Sequence, residues 1–264
     1  MSSRPQFDLF AGVDYSGART PLSRSQTLQV YATDRVASSE MVKSPAATST
    51  RHRSWNRKEI ADWIVSTVVS GTTLIVGVDH GFSFPITYFE RYGISSWDDF
   101  LDDFVHYWPT DGDNITVDTI RHGDAGLPNR TGANTDLRLC EKWTPSAKSV
   151  FLFDVQGSVA KSTHAGLPWL RHIRSQLRTK VHFWPYDGWE IPEGKSVIAE
   201  VYPSVFRRRF PVEERSPDQH DAYSVSEWLA TAASSDILKR YLDPPLSKEE
   251  RETANLEGWI LGVC

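Results

Sequence analysis

A chain of 264 residues with a net charge of −5 can bury a large core, and it is too acidic for a dedicated nucleic-acid-binding protein. Its two cysteines, Cys140 and Cys264, exclude a disulfide framework and fit a reducing compartment. With no apolar run near ~20 residues and no secretory signal evident, we expect a cytoplasmic protein that does not enter the membrane.

The first predicted strand covers residues 7–14 and ends in a carboxylate, Asp14, which Tyr15, Ser16 and Gly17 follow at once. An apolar run of this kind predicts a buried strand that carries an acid at its C-terminal end. Ligands of open α/β sheets bind at these strand ends, so Asp14 is a candidate site residue. The structural alternative is an aspartate that only caps a turn.

Three predicted elements come next: a β-rich segment at 27–32, a weaker edge strand near 40–46 and a helix from Ser54 to Gly71. A second strand that ends in an acid follows them. It covers residues 72–79 and ends in Asp79, directly before His80. If the two acid-tipped strands are neighbours, ~4.8 Å apart, Asp14 and Asp79 meet at one point. Two such carboxylates repel each other unless a proton or a cation lies between them, and Mg²⁺ is the simplest cation.

Residues 85–165 have the character of an insertion. Residues 97–108 predict an acidic amphipathic helix, whose aspartates are better explained as a solvated face than as a metal cluster. The polar stretch 121–138 contains Arg130 and Arg138 and predicts a loop that positions a phosphate or sugar. Residues 149–154 are either a strand or an extended segment lining the core.

The C-terminal third contains the remaining candidate acids. A helix opened by Pro168 and a short strand at 181–184 precede the strand 196–203, in which Glu200 interrupts an apolar run. A charge inside a buried strand is costly unless it is paired or bound to a metal. The helix that begins near Asp218 places Asp218 and Asp221 on one face, although Asp218 could also be a helix-start residue that suits the dipole. Residues 257–263 are expected to dock on the core.

Five short motifs occur in this order along nearly the whole chain. They are Gly12-Val-Asp14-Tyr-Ser-Gly17-Ala18, Gly77-Val-Asp79-His-Gly-Phe-Ser-Phe-Pro85, Glu200-Val-Tyr-Pro203, His220-Asp221-Ala222 and Glu257-Gly-Trp-Ile260. Their arrangement resembles the ribonuclease H-like (RNase H-like) fold, in which a mixed sheet and a final helix gather three or four carboxylates around metal. More closely, the chain is similar to the bacterial and archaeal proteins of domain-of-unknown-function family 429, described as predicted RNase H-like nucleases.

The resemblance implies one α/β domain over 1–264, with a central mixed β-sheet flanked by helices and an insertion between the fourth and fifth core strands. It implies phosphodiester hydrolysis by metal-activated water at a site for two Mg²⁺ or Mn²⁺ ions. The implied catalytic and metal-binding acids are Asp14, Asp79, Glu200 and Asp221, with Asp218 as a further metal ligand. Side chains expected to bind a nucleic acid or nucleotide substrate are Ser16, His80, Arg130, Arg138 and Lys161.

Two other functions stay open at this point. A binding or regulatory module could keep the sheet without hydrolytic activity, and fold analogy does not decide this. An ATP-dependent enzyme of the sugar-kinase and actin type also places phosphate loops after a strand-ending Asp. Such enzymes carry two full domains and a glycine-rich adenosine motif, and 264 residues are too few for both domains. The substrate type and the oligomeric state stay open as well.

Overall fold

The structure is a computed structural model that describes residues 7–34, 37–46, 54–127, 130–145 and 147–264. They form a mixed α/β fold with a central sheet flanked by helices. The strands are β1 (Leu9–Asp14), β2 (Gln29–Thr33), β3 (Glu40–Met41), β4 (Leu74–Asp79), β5 (Val181–Trp184), β6 (Ser196–Val201) and β7 (Ile260–Leu261). The helices are α1 (Arg57–Val69), α2 (Ile86–Tyr92), α3 (Trp97–Tyr107), α4 (Val117–Arg121), α5 (Leu139–Trp143), α6 (Ala160–Leu177), α7 (Pro217–Ser234), α8 (Leu238–Leu242) and α9 (Lys248–Glu257).

The sheet has the strand order β3-β2-β1-β4-β6-β5, and β7 pairs with β6. Strands β1, β2 and β3 form an antiparallel meander, whereas β4 is parallel to β1, and β6 is parallel to β4, β5 and β7. The acid-tipped strands β1 and β4 are therefore neighbours, as predicted, and their C-terminal ends share one edge of the sheet. The predicted edge strand near 40–46 is present but has only two residues.

Both faces of the sheet are covered, which explains why β1, β4 and β6 are almost continuously apolar. On one face, Val13 and Val76 pack in a cluster with residues of α1, α3 and α6. On the other face, Phe10 and Ile75 pack with residues of α7, α8 and α9. Side chains alternate along a strand, so the face that a residue occupies decides which helices it meets.

The N-cap of helix α1 lies two residues later than the predicted N-cap, Ser54. The N-cap is Asn56, whose side chain accepts from the backbone N–H of Glu59, while the Glu59 carboxylate accepts from the N–H of Asn56. This reciprocal capping satisfies two backbone donors that the first turn leaves free, so it fixes where the helix starts.

Helix α6 begins eight residues before Pro168, so the prediction that Pro168 opens the helix is wrong. A proline inside a helix removes the hydrogen bond to the carbonyl four residues earlier. Here that carbonyl belongs to His164, and it accepts a 2.6 Å bond from the hydroxyl of the buried Thr110. A partner from the insertion thus replaces the missing bond, which no local pattern around Pro168 indicates.

The chain between β4 and β5 contains helices α2 to α6. Helix α3 spans 97–107 with Ser96 as its N-cap, so the predicted acidic helix is confirmed. Residues 149–154 form turns rather than a strand, and Val150 and Phe151 lie in the core. The run therefore lines the core, as the second interpretation predicts, but it does so in turns rather than as an extended segment.

The C-terminal segment docks on the core as predicted, and it does so as a strand. Ile260 and Leu261 pair with Glu200 and Val201, which adds β7 to the sheet. Within the described ranges, no helix combines the length and apolar character needed to cross a bilayer.

Candidate metal centre

Three carboxylates meet at the edge of the sheet where β1 and β4 end. Asp14 and Asp79 are register partners on these adjacent parallel strands, and Asp221 reaches them from the second turn of α7. One oxygen from each of the three side chains lies within 4.8 Å of the other two. Asp14 is buried, whereas Asp79 and Asp221 are partly exposed, so the cluster opens toward solvent on one side.

Two glycines explain why α7 comes close enough to contribute an acid. Gly12 and Gly77 each lie two residues before a site aspartate and therefore on the same face of the sheet. A Cβ at Gly12 would lie 2.1 Å from the carbonyl oxygen of Ala222, and a Cβ at Gly77 would lie 2.7 Å from Val225. Any side chain at these positions would push α7 outward, and with it the turn that carries Asp221.

The start of α7 is fixed by its own capping. Ser216 accepts from the backbone of Gln219, the Gln219 side chain accepts from the Ser216 N–H, and Pro217 occupies the first helical position. Asp221 lies one turn before Val225, the residue that packs over Gly77, so it projects from the face of α7 that meets the sheet.

The crowding of these acids raises their pKa values. Burial, followed by the charges of Asp79, Asp218 and Asp221, raises the pKa of Asp14 well above its usual value. Burial raises the pKa of Asp79 to about 8, and the charges of Asp221 and Glu200 add to this rise. A hydrogen bond joins the side chains of Asp14 and Asp79, so one proton between them relieves the repulsion at neutral pH.

Arg207 brings a positive charge into contact with the cluster. One of its terminal nitrogens lies 3.1 and 3.0 Å from the two carboxylate oxygens of Asp221. Burial raises the pKa of Asp221, and Arg207 partly offsets this rise. The Arg207 side chain is 43% exposed, so it contacts both the cluster and solvent.

The residues present fit a hard divalent cation. Carboxylate oxygens are the ligands that Mg²⁺ and Mn²⁺ prefer, and a cation replaces the proton that the crowded acids otherwise need. Two oxygens bound to one Mg²⁺ at ~2.1 Å lie no more than about 4.2 Å apart. Because the three oxygens already lie within 4.8 Å of one another, a side-chain movement of less than about 1 Å would bring them to a shared ion.

The structure corrects the role predicted for Glu200. Glu200 is the register partner of Val78, not of Asp79, so its side chain lies on the opposite face of the sheet from the three aspartates. Both of its oxygens accept from Arg138, at 2.5 and 2.7 Å, and one also accepts from the N–H of Phe82. Glu200 is thus a paired buried charge rather than a member of the aspartate cluster.

Arg138 has a structural role instead of the predicted contact with substrate. Its side chain is 1% exposed and donates to Glu200, to Glu141 and to the carbonyl of Glu257. The Glu257 carboxylate in turn accepts from the N–H groups of Leu139 and Ile86. This network joins the insertion, β6 and the end of α9, and every carboxylate oxygen in it accepts at least one hydrogen bond.

Asp218 and Ser16 lie beside the cluster without joining it. Asp218 is partly exposed in the first turn of α7, and burial and the charge of Asp221 raise its pKa. Its charge also acts on Asp14, which places it near the cluster. Ser16 follows β1, and its hydroxyl accepts from the N–H of Ala18.

The other predicted substrate-binding side chains have partners within the protein. His80 is buried, packs edge-on against Tyr15 and has a pKa lowered to about 4 by burial. Arg130 pairs with Asp103 and lies over the rings of two tyrosines. Lys161 is partly exposed and pairs with Asp118 at 2.6 Å.

A pocket adjoins Asp79 at the ends of β4, β6 and β7. Its wall includes apolar side chains such as Val159, Val201 and Ile260, together with the phenol of Tyr202 and the ammonium of Lys148. Lys148 donates to the carbonyl of Gln156. The pocket therefore has apolar side chains and a cation next to Asp79, and the Arg138–Glu200 pair also forms part of its wall.

No sequence pattern indicates the contact of Arg207 with Asp221. The spacing of fourteen residues carries no periodic signal, because a short 3-10 turn at Arg207–Arg209 and a loop separate the two. Lys148 was missed for the same reason, since the fold alone brings it near Asp79.

The chain was compared with protein-family models, with curated proteins and with solved structures, and none of the three comparisons gives a match. The function is therefore inferred from the geometry of the cluster.

Proposed function

We propose that this protein is a divalent-metal-dependent phosphodiesterase, a nuclease with an RNase H-like arrangement. The observation that carries the proposal is the convergence of Asp14, Asp79 and Asp221, whose oxygens lie within 4.8 Å at the open edge of the sheet. Nearly half-exposed Arg207 and the pocket beside Asp79 give this cluster the surroundings that a phosphodiester substrate needs.

The RNase H-like arrangement is supported by the order of the elements. An antiparallel meander is joined through α1 to a parallel strand, and the two acid-tipped strands are neighbours. A late helix, α7, packs across both strands and adds the third acid. These features are those that the RNase H-like fold, implied by the resemblance in the sequence motifs, is expected to have.

A bound divalent cation would lower the pKa of a water molecule and neutralise charge on the phosphate oxygens. The protein would hold that ion with Asp14, Asp79 and Asp221. Asp218, whose charge acts on Asp14, is the further ligand that the resemblance implies for a second ion, and the two-metal site stays a prediction. The aspartates must be deprotonated to hold the ion, because a protonated carboxyl is a poor ligand.

Arg207 would position the substrate. When a cation binds Asp221, the guanidinium of Arg207 would be released from Asp221 and could donate to a phosphate oxygen. The apolar wall of the neighbouring pocket suits the face of a sugar or base, and Lys148 suits a flanking phosphate. Together these groups would align the phosphodiester with the acids.

The test is a panel of labelled single- and double-stranded DNA and RNA, incubated with Mg²⁺ or Mn²⁺. Cleavage by the native protein and its loss in Asp14→Asn would support the proposal. Asp102→Asn is the matched control, because Asp102 is an exposed aspartate of α3 that pairs with Arg171. Equal cleavage by Asp14→Asn and the native protein would refute the proposal, and metal binding without any cleavage would favour the binding-module alternative.

A further inference from the structure

The short 3-10 turn Arg207–Arg209 carries the arginine that contacts the aspartate cluster. The turn packs on α7. The residue before it, Phe206, is buried and stacks flat on the ring of Trp228 in α7, with the ring centroids 4.6 Å apart. This stack anchors Phe206 to the helix, but it does not hold the peptide group of Arg207.

His220 makes a contact with that peptide group. It lies in α7 directly before Asp221, is 6% exposed, and places its Nε2 3.2 Å from the carbonyl oxygen of Arg207. A carbonyl oxygen only accepts, so Nε2 carries the proton in this bond. The same oxygen accepts from the N–H of Phe210 at 3.2 Å, which uses its second lone pair. The imidazole therefore joins the turn to α7 through the main chain of Arg207.

A buried imidazole is costly at this position unless its bond to Arg207 is needed. Nδ1 of His220 is buried, and it has no hydrogen-bond partner among the residues that the structure describes. A buried polar atom without a partner costs about 1–3 kcal/mol. The ring lies nearly parallel to that of Tyr223, a contact that a phenyl ring could make as well. The hydroxyl of Ser224 lies 3.5 Å from Nε2, at the limit of a hydrogen bond, so the Arg207 carbonyl is the main partner.

Two consecutive residues of α7 thus hold the two ends of Arg207. His220 donates to its carbonyl, and Asp221 accepts from one terminal nitrogen at 3.0 and 3.1 Å. A divalent cation would compete with Arg207 for the Asp221 carboxylate, but it has no affinity for an N–H group that is already donating. The main chain of Arg207 would therefore stay at the cluster when its guanidinium leaves Asp221.

We propose that His220 is a positioning residue, which keeps Arg207 at the aspartate cluster. In the metal-free protein it holds the guanidinium against Asp221, and with a metal ion bound it keeps the guanidinium within reach of a substrate phosphate. The second part of this role rests on the proposed nuclease function, whereas the first part does not. His220 acts only through Arg207 and touches neither metal nor substrate.

Crystal structures of metal-free His220 variants test the first part directly. His220→Phe keeps a ring and removes the donor, and His220→Leu is a second apolar variant in case the phenyl ring prevents folding. His220→Gln keeps an amide N–H near the position of Nε2. We expect the contact between Arg207 and Asp221 to persist in His220→Gln and to be lost in the apolar variants. A contact that persists in an apolar variant would overturn the proposal.

Mn²⁺ titration and cleavage kinetics test whether His220 acts through Arg207. Release of Asp221 in His220→Phe should lower the Kd for Mn²⁺ several-fold, and loss of the aligned guanidinium should lower kcat/KM about tenfold. His220→Gln should restore both quantities. In the Arg207→Ala background, His220→Phe should change each quantity less than about twofold. Equal effects in both backgrounds would show that His220 only stabilises α7, and would overturn the proposal.

Ser224→Ala is the matched control, because Ser224 is buried one turn later in α7 and its hydroxyl lies close to the same nitrogen. It should leave both quantities at their native values. Failure of the nuclease function would look different from failure of this proposal. A native protein that binds no Mn²⁺, or cleaves no nucleic acid, would refute the function, while the metal-free crystals would still decide whether His220 positions Arg207.

Discussion

Asp14 and Asp79 are register partners on adjacent parallel strands, and each follows by two residues a glycine that lies directly under α7. The repeated Gly-Val-Asp sequence therefore does two things at once. The aspartate supplies the ligand, and the glycine lets the helix with the third ligand approach. Metal binding should therefore depend on how closely α7 packs on the two glycines.

Gly12→Ala should weaken metal binding through the position of α7. The new Cβ would lie 2.1 Å from the Ala222 carbonyl, a backbone atom that cannot rotate away. We expect a loss of about 1–3 kcal/mol of folding stability and a further loss of Mn²⁺ affinity in the folded protein. Denaturant unfolding and calorimetric Mn²⁺ titration measure the two effects separately. Unchanged Mn²⁺ affinity would show that the helix position does not set the site.

The metal-free protein should lose stability as pH rises from about 6.5 to about 8, above the interval in which the lowered pKa values of the buried His80 and His164 act in the opposite direction. An acid whose folded pKa is raised holds its proton in the folded state after the unfolded state has released it, so unfolding is favoured over this interval. For Asp79 the folded value is about 8, against an ordinary value near 4. Thermal unfolding in a chelator at a series of pH values measures the effect.

Asp79→Asn should remove much of this pH dependence and unfold at a higher Tm than the native protein at pH 8 without metal. Asn keeps the shape of the side chain but cannot ionise. The control Asp102→Asn should keep the native pH profile, because Asp102 is exposed on α3. The same slope in Asp79→Asn and in the native protein would contradict the raised pKa of Asp79.

Glu200→Ala should destabilise the protein without removing the metal site. It leaves the buried guanidinium of Arg138 without its two-oxygen partner, a loss of about 3–5 kcal/mol. Asp221→Asn should weaken metal binding, because it removes a ligand. It should stabilise the metal-free protein, because it relieves the repulsion among the acids. Urea unfolding and Mn²⁺ titration on both variants distinguish the roles. Loss of Mn²⁺ binding in folded Glu200→Ala would restore Glu200 as a ligand.

How much the sequence could predict is clear from these same residues. The acid-tipped strands and the acid-bearing helix were predicted because an apolar run and a helical start are local patterns. The face of the sheet on which Glu200 lies could not be predicted, because β6 is buried throughout and no alternation of polar and apolar residues distinguishes the two faces of the strand. Its partner Arg138 is 62 residues away in the chain and lies in a segment with no regular pattern.

Arg207→Ala should tighten metal binding and weaken catalysis. It removes a cation that competes for Asp221, so the Kd for Mn²⁺ should fall several-fold. If Arg207 also positions a phosphate, kcat/KM should fall by about tenfold or more. Arg208→Ala is the neighbouring control, since Arg208 is exposed. If Arg207→Ala and Arg208→Ala changed the Kd for Mn²⁺ and kcat/KM equally, Arg207 would act only as a general surface charge.

The central claim is that Asp14, Asp79 and Asp221 hold a divalent cation. The most direct measurement is a crystal of the native protein soaked in Mn²⁺, with anomalous data, beside the same soak of Asp14→Asn. We predict an anomalous peak about 2.2 Å from carboxylate oxygens of the three aspartates in the native protein, and its loss in the variant. A native cluster without a manganese peak at millimolar metal would contradict the account.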